Sequence, residues 1–268
     1  MKRGPQAQTG FTILEMLVAM GIFLIICGVM FELLDLSQKK YSSETQLTAA
    51  YQDARLAMDQ IVRDVNVSGY PPAGMFSNPA SSASYAVSPF SWSPGYLSNT
   101  DCQIGTTCTT TPSDFDLIVE TDLGGGVSWV HYELGAPDGT NPTTLYRAVV
   151  PKAVGQDAYS ATSAPGVMTP FLSNVMNNAP GSLLAQISAQ YPTMFPGNQP
   201  QPIFQYTCDT PAGPVPCTSA LASGSNSEKN IRDVDITLIV MTPQRDLQTQ
   251  SLKLVELNGR GHRVNPVN

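Results

Sequence analysis

The chain has 268 residues, of which 42% are hydrophobic and 13% charged, and its formal net charge is −7. This composition supports a buried core and excludes wholesale disorder. The negative balance, with no lysine or arginine cluster beyond short pairs, argues against a nucleic-acid-binding face. The length admits one sizeable domain plus an extended segment, or two small domains, and 21 glycines with 22 prolines predict many loops.

The first element is an apolar run. Lys2 and Arg3 precede a small polar stretch that ends at Gly10, and Phe11 to Phe31 then carries one charge, Glu15. At about 1.5 Å per residue the run is long enough to cross a hydrocarbon core about 30 Å thick. A secretory signal peptide would have a shorter apolar core and a small-residue cleavage site, which this stretch does not offer cleanly. A plain signal anchor, with Lys2 and Arg3 holding the N-terminus in the cytoplasm, explains the topology. It explains neither Glu15 nor the Gly10–Phe11 junction, since an acid in an apolar phase needs a partner.

The stretch "GFTILEMLVAMGIFLI" resembles the N-terminus of the type IV pilin superfamily: a short basic leader, a glycine, an aromatic residue, then an apolar helix with Glu at its fifth position. The resemblance implies that a prepilin peptidase cuts between Gly10 and Phe11, removing residues 1–10, and N-methylates Phe11. It further implies that Glu15 of one subunit meets the Phe11 amine of a neighbour in a filament. Cleavage would free an amine of unperturbed pKa near 8, and methylation keeps its charge.

The helical pattern continues to residue 68. No Pro or Gly interrupts Glu32–Ser68, and Leu47, Tyr51, Ala54, Met58, Ile61 and Val65 form one apolar stripe at spacings of four and three. Asp53, Arg55, Asp59, Gln60, Arg63 and Asp64 are expected on the other faces. The stripe spans under three heptads, so packing on the chain's own sheet is expected rather than a coiled coil. Gly69, Pro71 and Pro72 end the helix. Residues 69–113 read as a long ordered loop with aromatic anchors.

Three strands follow: Phe115–Thr121, Val127–Leu134 and Thr143–Val150, joined by turns at "GGG" and "PDGTN" as an antiparallel meander. Residues 151–200 read as a loop-rich insertion with a short helix near Gly181–Gln190. Strands are predicted at 202–208, 231–242 and 250–258. In the second of these, Val234, Ile236, Leu238 and Val240 share one face. The expected fold is α+β, a long N-terminal helix, transmembrane over 11–31 and amphipathic over 32–68, packed on an antiparallel β-sheet head that covers 69–268. The succession of head segments resembles the larger minor pilins of the PilW type and the J-type minor pseudopilins of type II secretion. Relatives often carry an Asp-rich turn between the first two head strands. Here it is "TDLGGGVS", with only Asp122, so no calcium site is expected on it.

Cys102 and Cys108, like Cys208 and Cys217, are close in sequence. Their spacings are not the short C-x₂₋₄-C pairs of zinc sites, so two local disulfides in an oxidising compartment are expected, with Cys27 an apolar helix residue. His131 reads as a sheet residue and His262 as part of a solvent-exposed tail. The pairs Glu120/Asp122 and Asp233/Asp235 read as solvated faces. No nucleophile elbow, P-loop or dinucleotide fingerprint is present, so no enzyme, cofactor or metal is expected. The function expected is that of a minor pilin or pseudopilin, a structural and assembly subunit of a type IV pilus or type II secretion-type filament. Its partners would be prepilin peptidase, other pilin subunits, the inner-membrane assembly platform and the inner membrane itself, with no nucleic acid. It would sit single-pass in a bacterial inner membrane, head outside the cytoplasm, before joining a filament. The alternative is a membrane-anchored adhesive or binding module not built into a filament.

Overall fold

A computed structural model of the protein describes residues 12–76, 82–218, 221 and 224–264. Helix α1 runs unbroken from Ile13 to Asn66, 54 residues, or about 80 Å. It ends at Val67, whose N–H reaches back to the carbonyls of Arg63 and Val65. Gly69 then takes the left-handed conformation (φ +77°) that lets the chain turn away.

Only the upper half of α1 is packed. Ala50, Ala54, Ala57, Met58, Ile61 and Val65 are buried there. The stripe read from the sequence is rotated at its start, because Ala50 is buried while Tyr51 is 45% exposed. Close approach of the helix to the head selects the smaller side chain. Asp64, expected on a solvent face, is 1% exposed.

The described residues of the head form two antiparallel sheets where the sequence reading placed one. The first has the order β1-β2-β3-β4-β5, built from Phe90–Ser91, Asp116–Asp122, Val127–Leu134, Leu145–Pro151 and Thr169–Leu172. The second has the order β7-β6-β8-β9, with β6 at Phe204–Thr210, β7 at Gly213–Pro216, β8 at Ile231–Met241 and β9 at Leu254–His262. The segment after β5 joins them. The Met176 N–H donates to the Ile239 carbonyl at 2.7 Å and the Met241 N–H to the Asn174 carbonyl at 2.9 Å.

Register decides which side chains meet. Asp116, Ile118 and Glu120 lie opposite Glu133, His131 and Trp129, and period-two alternation puts all six on one face. That face is covered by the loop carrying Tyr96 and by helix α2 (Ala158–Thr162). The other face carries Leu117, Val119, Val130 and Tyr132 toward α1 in the main core. Sheet 1 is therefore buried on both sides, which explains the near-continuous burial of β2. In sheet 2, Val234, Ile236, Leu238 and Val240 of β8 are buried with α1 in that same core. On its opposite side Ile239 and Leu254 pack under helix α3 (Gly181–Gln190) with Leu184 and Ile187.

Residues 69–113 and 151–200 contain the elements that the sequence reading left as loop. These are β1, α2 and β5, each two to five residues long, and β7 lies beyond them. Strand β9 begins later than expected and continues through His262, so "NGRGH" is strand rather than tail.

Candidate functional site

The N-terminal end of α1 begins with a reciprocal cap. The Thr12 N–H and hydroxyl donate to Glu15 Oε2 at 3.0 and 3.1 Å, and the Glu15 N–H donates to Thr12 Oγ1 at 3.3 Å. This capping box satisfies two helix-terminal donors at once, and it gives the Glu15 carboxylate local partners within its own chain. Gly10 and Phe11, the expected cut, lie outside the described residues. From Ile13 to Gln38 every residue is exposed except Cys27, which is partly covered and has a free thiol. The run is long and apolar enough to cross a membrane, and it fits a single-pass anchor.

Three polar anchorages hold the upper half of α1 on the head. Ser43 donates to Asp246 Oδ2 at 2.7 Å and receives a hydrogen bond from Lys253 Nζ at 2.8 Å. Lys253 also pairs with Asp246 at 2.7 Å, and Oδ1 of that acid accepts the Gln248 and Thr249 N–H groups. The Lys253 contact, then the Thr249 N–H and Ser43, hold the Asp246 carboxyl well below the usual carboxylate range. About six helical turns further up, Asp64 Oδ2 accepts from the Tyr132 hydroxyl at 2.6 Å and from Arg147 at 2.9 Å, while its Oδ1 accepts from Gln60. Burial, then the Asp64 charge, pushes the Tyr132 phenol far up. At the helix end, Asn66 Oδ1 accepts the His262 N–H at 2.8 Å.

Between these anchorages the backbone of β9 touches the helix. A Cβ at Gly259 would lie 2.4 Å from Met58 Sδ, and one at Gly261 would lie 2.5 Å from Val65 Cγ1. Real atoms do not approach so closely, so with any larger residue Met58 would have to swing aside at the first position and Val65 or α1 itself would have to shift at the second. The sequence signal was present as Gly259-Arg260-Gly261, glycines two apart on one strand face, but it was taken for a tail.

Glu120 and Asp233, read as solvated, are buried. Glu120 accepts the Val87 and Ser88 N–H groups and the Tyr96 hydroxyl, and it pairs with Lys152, whose Nζ also donates to the Tyr85 carbonyl at 2.9 Å. Burial raises the Glu120 carboxyl and lowers the Lys152 ammonium, and their mutual attraction opposes both shifts. The pair fastens the 82–100 loop to sheet 1. Asp233 is shared by Arg260 and His262.

Cys102 is bonded to Cys108 (S–S 1.97 Å) and Cys208 to Cys217 (S–S 2.05 Å). The first loop is stitched to a distant segment by Glu228, whose Oε2 accepts the Cys102 N–H at 3.0 Å. Burial pushes the Glu228 carboxyl up to about 7. Asp122 Oδ1 accepts the N–H groups of Gly124, Gly125 and Gly126 at 2.7 to 3.2 Å, so the glycine turn is organised around its single carboxylate.

Residues 5–31 match the family model of the prokaryotic N-terminal methylation motif. The chain carries a prepilin-type N-terminus. That motif lies over the uncovered, apolar half of α1 and includes Gly10, Phe11 and Glu15 in one register. It supports assignment to the type IV pilin superfamily as a pilin-like or pseudopilin-like prepilin. No curated protein and no solved structure significantly matches the chain.

Proposed function

We propose that the protein is a minor pilin or minor pseudopilin, a structural and assembly subunit rather than an enzyme. Prepilin peptidase cuts it after Gly10 and methylates Phe11. The observation that carries this reading is the coincidence of the methylation motif with a helix half that none of the described head residues covers. Bare apolar surface of that size needs a bilayer or neighbouring helices. Lys2 and Arg3 keep the leader in the cytoplasm and the head outside, and the two disulfides suit an oxidising compartment. A large head with long loops fits a sparse subunit better than one repeated along a whole filament.

In this reading Glu15 changes partners. The Thr12 capping box serves the carboxylate in the single subunit, and in the filament the carboxylate turns to the methylated Phe11 amine of a neighbour. Docking is then an exchange of one satisfied state for another. The test is expression with and without prepilin peptidase, read by intact mass and N-terminal peptide. Loss of residues 1–10 with a methylated Phe11 is expected. An intact Met1 terminus, or cutting beyond residue 31, sinks the proposal. Glu15→Val is expected to insert normally but to enter filaments poorly.

A further inference from the structure

The outer face of sheet 1 holds a cluster that the assembly function does not use. Asp116 and Glu133 are directly opposed on β2 and β3, and His131 lies two residues before Glu133 on the same face. One ligand atom from each of the three lies within 4.8 Å of the others. His131 Nε2 is 3.1 Å from Asp116 Oδ2 and 3.9 Å from Glu133 Oε2. His131 is fully buried and Asp116 nearly so. Asp116 Oδ1 and Glu133 Oε2 are buried oxygens without a hydrogen-bond partner. Two carboxylates held this close, without enough donors, call for a positive charge between them.

The far side of the imidazole fixes the ring's orientation. The Thr162 hydroxyl donates its hydrogen to the Ala158 carbonyl at 2.8 Å. It therefore accepts from His131 Nδ1–H, also at 2.8 Å. With Nδ1 as the donor to Thr162, Nε2 is the nitrogen that faces both carboxylates. This is the arrangement of a metal-binding histidine, whose second nitrogen is oriented by an outer hydrogen bond. Here the orienter is itself fixed by the first turn of α2. Ligands about 2.1 Å from a tetrahedral zinc ion stand about 3.4 Å apart, a value the two observed separations bracket.

We propose that Asp116, His131 and Glu133 form a binding site for a divalent first-row metal ion, with zinc(II) the best match. One imidazole and two carboxylates suit that ion, and its charge neutralises the pair. Asp116 Oδ1 or water takes the fourth position. Glu133, the least buried of the three, gives the ion its entry from solvent. The role is structural: the ion ties β2 to β3 and, through Thr162, fixes α2 over the sheet. This site is independent of the N-terminal motif and of filament assembly.

The test uses the detergent-solubilised full chain, stripped with chelator and titrated with zinc chloride alone. Calorimetry gives the affinity and elemental mass spectrometry the stoichiometry. One zinc per chain is expected, with a rise in melting temperature. Glu133→Gln is expected to weaken binding at least about tenfold and Thr162→Val by a smaller factor. No zinc uptake by the wild-type chain overturns the proposal, as does Glu133→Gln binding with unchanged affinity. Should a variant lose its fold, the wild-type chain still decides the matter through the ¹⁵N resonances of His131. Zinc is expected to move Nε2 to a metal-bound shift with Nδ1 protonated, and an imidazolium that persists in excess zinc refutes the site.

Discussion

In the lower half of α1, Leu14, Leu17, Phe23, Leu24, Ile25 and Phe31 are each more than 60% exposed, whereas in the upper half Ala50, Ala54, Ala57 and Ile61 are each 6% exposed or less. The more apolar half is the bare one. In a water-soluble protein this ordering would be reversed, because burial follows hydrophobicity. The two halves answer to different partners. The lower half needs bulk and flexibility of contact, as a bilayer or a bundle of like helices provides. The upper half needs proximity, which alanines and the facing glycines of β9 supply, and it gains specificity from Asp64 and Ser43 instead of from large side chains.

Four tests probe this contrast, the largest effect first, with the two glycines of β9 taken as one. Asp64→Ala leaves Arg147 and Tyr132 without their shared acceptor under the helix. Stability of the head is expected to fall by about 3 kcal/mol, read as a loss of melting temperature with membrane insertion unchanged. Gly261→Ala drives a Cβ into Val65, a β-branched side chain with little room to turn. A cost of about 1–3 kcal/mol is expected. Gly259→Ala should cost less, since the Met58 thioether that it meets is the flexible end of a long side chain.

The third concerns pH. The Glu228 carboxyl is raised from 4.5 to about 7 in the folded protein by burial. The folded chain therefore keeps a proton that the unfolded chain has already released. Its contribution is full below about pH 4.5 and is lost as pH rises through about 7. Glu228→Gln cannot titrate, and it is expected to flatten the decline in melting temperature over that window. Glu120 is shifted in the same direction, so part of the slope should remain. An unchanged slope would show that Glu228 is not protonated in the folded chain. The smallest effect belongs to the bare half. Leu24→Ala trims a side chain that is 67% exposed, and it is expected to change head unfolding by less than about 0.5 kcal/mol. A larger loss would mean that the two halves are not independent.

The parts legible in the sequence are those with long periods or fixed local rules. The uninterrupted helix, the three-strand meander and the alternation of β8 all extend over enough residues for periodicity to speak. The short helix expected near Gly181–Gln190 is present there. What was missed is short or made by distant pairs. β1 and β5 exist because neighbouring strands lend them hydrogen bonds, and four residues or fewer carry no pattern of their own. The burial of Glu120 depends on Lys152, and that of Asp64 on Arg147, 83 residues away. Nothing local marks these acids as different from Asp53 or Asp59. Two sheets rather than one follow from the crossing at Asn174–Asn177, where Asn177 accepts the Ile239 N–H and donates to the Thr237 carbonyl. Such a bridge has no signature in a single sequence.

The glycine notches of β9 also bear on mechanics. Met58 and Val65 are two helical turns apart, and each seats in its own gap in the strand backbone. Sliding α1 along its axis would lift both side chains out of their gaps together, against the backbone of the next residues. A tug on the membrane end of the helix is thus resisted by shape along the direction of pull, before the Asp64 and Ser43 anchorages have to stretch. The head is keyed to its shaft, and force applied at one end is delivered to the sheet as shear spread across β9.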